Sequence, residues 1–313
     1  MEPQRNPGLP ADESGFVLIT VLWIAGLLAV MTAALSVSVR THVRVVANVT
    51  ESAKAEALAD AGAALAIIDL VAARSNGEHK RRFPADGQAV ACTIPGEGSL
   101  WIAVTDEAAK IDVNSAGVPL LRALLAGLGV PVEKSARLAE AIFDFRDADD
   151  VRMPNGAESA EYRGAGLGWL PKNGPLQSLD ELSQVYGVTP ELLARLRPFL
   201  SVHSGLEGFD ASIAPESLIA LLRSGIERSG GSLGGLADFD GAVALPALFV
   251  TASPKRFFNL HVEAHSVAGA VFVREAVFDA GSRQLPDYNF LRWTRGARLT
   301  DAQRSDSEGG PPC

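Results

Sequence analysis

The 24 residues from Phe16 to Val39, FVLITVLWIAGLLAVMTAALSVSV, contain no Asp, Glu, Lys, Arg or His. As a helix they would span about 36 Å at 1.5 Å per residue, and about 20 apolar residues suffice to cross a bilayer. A secretory signal peptide starts basic and has an apolar core of only about 7 to 15 residues. This run is longer, and the preceding MEPQRNPGLPADESG carries Glu2, Asp12 and Glu13 beside a single basic residue, Arg5. The run reads as a retained membrane helix.

Nothing in the next 35 residues stops a helix. No proline occurs between Phe16 and Ser75, and the strong helix formers Ala, Leu, Glu and Lys dominate. Val43, Val46 and Val49, then Leu58, Ala61, Leu65 and Ile68, recur at helical spacing, and SNG at 75–77 is a stop signal. Two arrangements are compatible with this composition: one helix from Phe16 to Arg74, roughly 90 Å long, or a membrane anchor followed by a separate helix.

Beyond it the pattern changes twice. QAVACTI and SLWIAVTD, separated by PGEG, read as a β-hairpin. From Val113 to Ser201 the period turns helical, with four short amphipathic helices in GVPLLRALLAGLGV, VEKSARLAEAIFDFRD, LQSLDELSQVYG and TPELLARLRPFLSV. Gly129 before Pro131, and Gly187 before Pro190, place a C-cap glycine just ahead of a helix-starting proline. Ser178 with Glu181 forms a capping box. APESLIALLRSG adds a helix, and ALFVTA, FFNLHVEAHS, AVFVREAVFD and NFLRWT read as strands. A sheet interrupted by a helical insert accounts for this order.

Charge and composition narrow the function. The net charge of −9 disfavours a surface that binds nucleic acid by neutralising phosphates. IDVNSAGVPLLRALLAGLGV resembles a helix-hairpin-helix DNA-binding module, but Arg122, Lys134 and Arg137 are offset by Glu133 and Glu140, without the basic stripe such a role needs. The hairpin reads as a packing unit. The five histidines, His42, His79, His203, His261 and His265, fall in unrelated contexts, and no nucleophile elbow, H-E-x-x-H pair or phosphate loop occurs. His261 and His265 share one face of an expected strand and read as surface residues. No enzyme is expected. The two cysteines, Cys92 and Cys313, give no framework, and pairing between them is not expected.

AIFDFRDADDVRMPNGAESAEY places Asp144, Asp147, Asp149 and Asp150 near a helix C-terminus, with Glu158 and Glu161 after a turn at Pro154, Asn155 and Gly156. Carboxylates there oppose the helix dipole by about 0.3 to 1 kcal/mol each. Either solvent and Arg146 or Arg152 screen them, or a cation neutralises them. Calcium, which takes about 6 to 8 oxygen ligands in flexible geometry, suits such a group, whereas the spacing is not that of an EF-hand.

A small residue, then Phe, then an uncharged helix running into a soluble domain is similar to the N-terminus of type IV pilin-like proteins. GFVLITVLW, IDVNSA, AIFDFRDADD with PNGAESAEY, LPKNGPLQSLDELSQVYGVTPELLARLRPFLSV and FFNLHVEA together resemble the minor pseudopilin K family of type II secretion systems. The resemblance implies an α+β fold: a pilin-like transmembrane helix packed on an antiparallel sheet, with a large all-α insert resembling helix-hairpin-helix units. It implies a leader at 1–15, the long helix at 16–74 with 16–39 in the membrane, and the first part of the pilin-like domain at 75–112. The insert follows at 113–212, the return to the pilin-like domain at 213–300 and a disordered tail at 301–313.

It further implies cleavage by prepilin peptidase between Gly15 and Phe16, with methylation of the Phe16 amine. The soluble domain would lie in the periplasm, anchored by one pass in the inner membrane. Arg40 and Arg44 follow the apolar run while Arg5 alone precedes it, so charge gives no orientation and the resemblance alone supplies it. The fifth residue after the cut is Thr20, where most pilin-like subunits carry Glu to meet the amine of the subunit above. A buried carboxylate without a partner is costly, so its lack suits the topmost subunit. The implied role is a tip subunit that helps initiate the pseudopilus and export folded proteins, with partners of the H, I and J types, the major pseudopilin and the prepilin peptidase. Calcium in the insert is also implied, with Asp144, Asp147, Asp149 and Glu158 as expected ligands. The alternative is a membrane-anchored helix-hairpin-helix DNA-binding protein of a competence-type pilus. FDASIAPESLIALL departs from the family's second Asn-Thr-Ala segment, with Asp210 and Ser212 where Asn and Thr are expected.

Overall fold

The structure, a computed structural model, describes residues 13–75, 81–230, 244–281, 288–299 and 311–313. The first part of the expected leader and most of the expected disordered tail lie outside the described residues. Helix α1, Glu13–Ser75, is a single uninterrupted helix, which decides between the two arrangements open in sequence. Its first half packs against no other element among the described residues: Phe16, Leu22, Leu28, Leu35, Val43 and Val49 are exposed, and Trp23 is 78% exposed. Phe16–Ala73 includes a segment long and apolar enough to cross a membrane.

The second half of α1 is seated on a sheet. Ala55, Leu58, Ala59, Ala63, Ala66, Ile67 and Leu70 are buried, three or four residues apart as one helix face requires. They meet a five-stranded antiparallel sheet ordered β1-β2-β5-β6-β7, comprising β1 Asp86–Ile94, β2 Gly98–Asp106, β5 Phe257–Ser266, β6 Val271–Asp279 and β7 Asn289–Arg295. Alternation sends Leu100, Ile102 and Val104, Phe258, Leu260, Val262 and Ala264, and Ala276 and Phe278 towards α1. Arg274 shares that face. It is 7% exposed and donates to Asp60 at 2.6 Å and Glu56 at 2.8 Å, both on α1.

Between β2 and β5 lies the helical insert. Two-residue strands β3, Ile111–Asp112, and β4, Leu200–Ser201, pair in parallel at its neck. Its helices are α2 Val118–Gly127, α3 Val132–Arg146, α4 Ser159–Gly164, α5 Pro190–Leu196 and α6 Glu216–Arg228. They enclose a core of their own, from Ile111 and Leu120 through Phe145 and Tyr162 to Leu222 and Phe249. Leu218, Leu222 and Ile226 of α6 belong to the same core. Gly129, with φ of 83°, makes the turn between α2 and α3.

The insert stands at the far end of the sheet from the apolar half of α1. Ser266, at one end of β5, donates to Glu51 at 3.2 Å, so that end of the sheet lies nearest the apolar half. The insert leaves from Asp106 and returns before Phe257, and β2 pairs antiparallel with β5 so that Asp106 faces Phe258 at the opposite end.

Three sequence expectations are corrected. ALFVTA is not a strand: Ala247–Phe249 forms a 3-10 turn after Pro246, and Phe249 is drawn into the helical core. LQSLDELSQVYG is not an α-helix but six residues of 3-10 turn, Leu179–Gln184, although the capping box of Ser178 and Glu181 is present. Cys92 and Cys313 are joined in a disulfide across 221 residues, because Pro311–Cys313 runs beside Thr93 of β1.

Helices α2 and α6 pack backbone to backbone. A Cβ on Gly225 would lie 1.9 Å from the Ala123 carbonyl oxygen, and one on Gly127 would lie 2.1 Å from that of Leu221. Gly225→Val should therefore destabilise the insert by at least about 2 kcal/mol, the range of a core forced apart. Gly168→Ala, with nothing within 4 Å, should be close to neutral. Urea unfolding of both variants checks this.

Candidate functional site

Two regions carry the residues singled out in sequence. The first is the start of α1. The Gly15–Phe16 peptide bond lies two residues inside the helix, and the Phe16 side chain is 71% exposed. The Thr20 hydroxyl donates to the carbonyls of Val17 at 2.9 Å and Phe16 at 3.2 Å. It is satisfied within its own helix, as hydroxyls in helices commonly are.

The second is an acidic cradle between α3 and α4. Asp144, in the last turn of α3, is fully buried and accepts from the Met153 N–H at 3.2 Å. The turn at Gly156 presses so closely that a Cβ there would lie 2.0 Å from Asp144 Oδ2. Asp147 caps the C-terminus of α3, and its Oδ1 is buried without a hydrogen-bond partner. Glu158, the N-cap of α4, is 5% exposed; its carboxylate faces the backbone of the first turn of α4 in a capping box with Glu161, yet neither oxygen meets a well-formed hydrogen bond. Burial, then Asp144, Asp147 and Asp150, push the Glu158 carboxyl up to about 7. Burial also raises Asp144 and Asp147.

The arginines that sequence offered as screens give their hydrogen bonds and ion pairs to other groups, although the Arg146 charge still acts on Asp147. Arg146 turns its guanidinium to the carbonyls of Val113 and Ala116 and stacks over Phe143. Arg152 pairs with Glu161 at 3.3 Å. The cradle therefore gathers Asp144, Asp147 and Glu158 but not Asp149, whose carboxylate accepts from the Val151 N–H at 2.8 Å. Asp150, not among the expected ligands, adds to the field at Glu158 while accepting from Asn173 at 2.8 Å. Among the described residues no three His, Cys, Asp or Glu side chains converge as a ready-made metal site. The orphaned oxygens of Asp147 and Glu158 nonetheless have the chemistry a hard cation takes.

IDVNSA proves to be a staple. Asp112 accepts from the Asn114 and Gly205 N–H groups, and Asn114 exchanges hydrogen bonds with the Leu176 backbone at 2.7 and 2.8 Å. Asp210 does the same work in the second segment, accepting from Ser212 and from the Ser253 N–H. Sequence gave no signal for Glu107. It is 2% exposed at the neck of the insert and held by Lys110 at 2.9 Å and by the Ser201 hydroxyl.

A long apolar helix seated on an antiparallel sheet, with an all-helical insert between its second strand and the return, defines the class as a pilin-like α+β protein with a helical insert. Residues 101–205 match the family model described as type II secretion system (T2SS), protein K. The chain is 31% identical over 117 residues to type II secretion system protein K of Klebsiella pneumoniae, covering 33% of this chain and 36% of that protein. With the Aeromonas hydrophila protein K it shares 27% over 208 residues, 60% of this chain and 63% of that one. The chain thus spans less than two thirds of the length of these relatives. The GspK-GspI-GspJ complex from enterotoxigenic Escherichia coli contains a chain of the same fold, with a TM-score of 0.54 at 19% identity, covering 83% of this chain and 99% of that one. The resemblance read from the sequence thus has a matching family model over residues 101–205 and a matching fold over most of the chain.

The raised Glu158 carboxyl makes stability depend on pH. Its folded value, about 7, lies above the ordinary value of 4.5. The folded state therefore binds the extra proton, and stability falls as pH rises from about 4.5 to about 7. Without divalent cations the insert should melt higher at pH 5 than at pH 7.5, and Glu158→Gln should flatten that slope; thermal melts of both proteins check it.

Proposed function

We propose that this chain is a minor pseudopilin at the tip of the periplasmic pseudopilus of a type II secretion system. There it helps initiate assembly and export of folded proteins across the outer membrane, as a structural subunit and not a catalyst. The observation that carries this reading is the placement of the insert at the end of the sheet remote from the membrane half of α1. A body that size would obstruct subunits stacked above it and suits a position with none. Thr20, with its hydroxyl satisfied internally, agrees: it offers no carboxylate to a subunit overhead.

Its partners are other minor pseudopilins of the H, I and J types, the major pseudopilin and, during maturation, the prepilin peptidase. The peptidase would cut between Gly15 and Phe16, and the Phe16 amine would be methylated. The apolar half of α1 anchors the chain in the inner membrane with the soluble part in the periplasm, an oxidising compartment suited to the Cys92–Cys313 disulfide. Asp144, Asp147 and Glu158 of the acidic cradle would hold a calcium ion, whose charge would offset their mutual repulsion. Unpartnered oxygens and redirected arginines support that assignment.

The rival DNA-binding reading has less support. The hairpin N–H groups of Leu128, Gly129 and Val130 already donate to the carbonyls of Leu124, Ala126 and Leu125, and the chain is acidic.

Intact mass of the protein purified from membranes tests the proposal. A chain beginning with N-methyl-Phe16, dependent on the prepilin peptidase, is expected. An uncut chain in cells that process other pilin-like precursors would contradict it.

A further inference from the structure

Strand β1 lies at the edge of the sheet. Its stretch QAVACTI, Gln88–Ile94, carries no charge and is rich in strand formers. Six or seven such residues on an open edge form a template for pairing with another chain. Native edges are usually blunted by charge, proline, a bulge or a cover, and the first two are absent from this stretch.

The edge is covered by Pro311–Cys313. The Thr93 N–H donates to the Pro311 carbonyl at 3.1 Å, and the Thr93 carbonyl accepts from the Cys313 N–H at 2.9 Å, so Pro312 pairs with Thr93 in parallel. Arg82 donates to the carbonyls of Pro312 and Cys313. Cys92, 1% exposed among the residues beneath α1, is bonded to Cys313. One strand pairing, one arginine and one covalent bond thus hold three residues against the edge.

We propose that Pro311–Cys313 is an edge guard: it occupies β1 and prevents a second copy of this chain from pairing there, and breaking the disulfide removes the guard. A second copy is the occupant to be excluded because two charge-free β1 edges, set antiparallel, meet about a two-fold axis, each making the bonds the other makes. No like charges oppose along Gln88–Ile94. Strand alternation turns the N–H and carbonyl groups of Ala89 and Ala91 outward together with those of Thr93. A dithiol reductant opens the guard by passing two electrons and two protons to the sulfurs of Cys92 and Cys313, and itself becomes a disulfide. This inference concerns the sheet alone and stands apart from the proposed secretion role.

The test is the number of chains per micelle, measured by light scattering on the full chain in detergent over a range of concentrations. The oxidised chain sets the baseline. Dithiothreitol, and separately the double variant Cys92→Ala with Cys313→Ser, should each produce self-association that grows with concentration. Adding Thr93→Pro to the double variant removes the outward N–H, a change an edge strand tolerates, and should return it to the baseline. The inference is overturned if reduction and the double variant both leave the number at baseline. It is equally overturned if the proline leaves self-association undiminished, since clumping from a damaged fold would not be reversed by a residue that adds no native contact.

Discussion

The seating of α1 on the sheet is the constraint on which the rest depends. A helix whose first half is apolar and exposed has only its second half with which to hold a domain. Small residues at Ala55, Ala59, Ala63 and Ala66 bring that half close to the sheet, and Leu58, Ile67 and Leu70 fill the space between. Arg274 fixes the angle. Its buried guanidinium bonds to Asp60 and Glu56 and lies over the rings of Phe272 and Trp293. Because Glu56 and Asp60 remain 49% and 40% exposed, their desolvation costs little, and the pair orients the helix without the penalty of two buried ions.

Once the helix is fixed, position follows from connectivity. The strand register places Glu51 beside one end of the sheet and the departure of the insert at the other. The neck strands β3 and β4, the buried Glu107 and the staple of Asp112 and Asn114 then tie the insert to its base. What the insert presents outward is thereby held at a set distance from the exposed apolar half of α1. Within it, the acidic cradle joins α3 to α4 through a turn that leaves oxygens without partners.

Legibility in the sequence followed the range of the forces. FFNLHVEAHS coincides with β5 because period-two alternation of Phe258, Leu260, Val262 and Ala264 is a local record of a buried face. The glycine-then-proline punctuation marked the hairpin between α2 and α3 for the same reason. ALFVTA has equally strong strand propensity, yet Phe249 is claimed by a core whose other members are remote in sequence. The acidic cradle was legible as composition only. That Arg146 gives its hydrogen bonds to the carbonyls of Val113 and Ala116 and none to Asp147 or Glu158 depends on residues some thirty positions away. The pairing of Cys92 with Cys313 was hidden more deeply still, since no local pattern records which edge a distant segment covers.

The central claim is that the chain stands once, at the end of an assembly of pilin-like subunits. Chemical cross-linking in intact membranes, followed by mass spectrometry of the purified adducts, tests it most directly. The account predicts adducts that contain one copy of this chain joined through α1 to different pilin-like subunits of the H, I or J types. A ladder of adducts joining copies of this chain to one another through α1 would place it in the shaft and contradict the account.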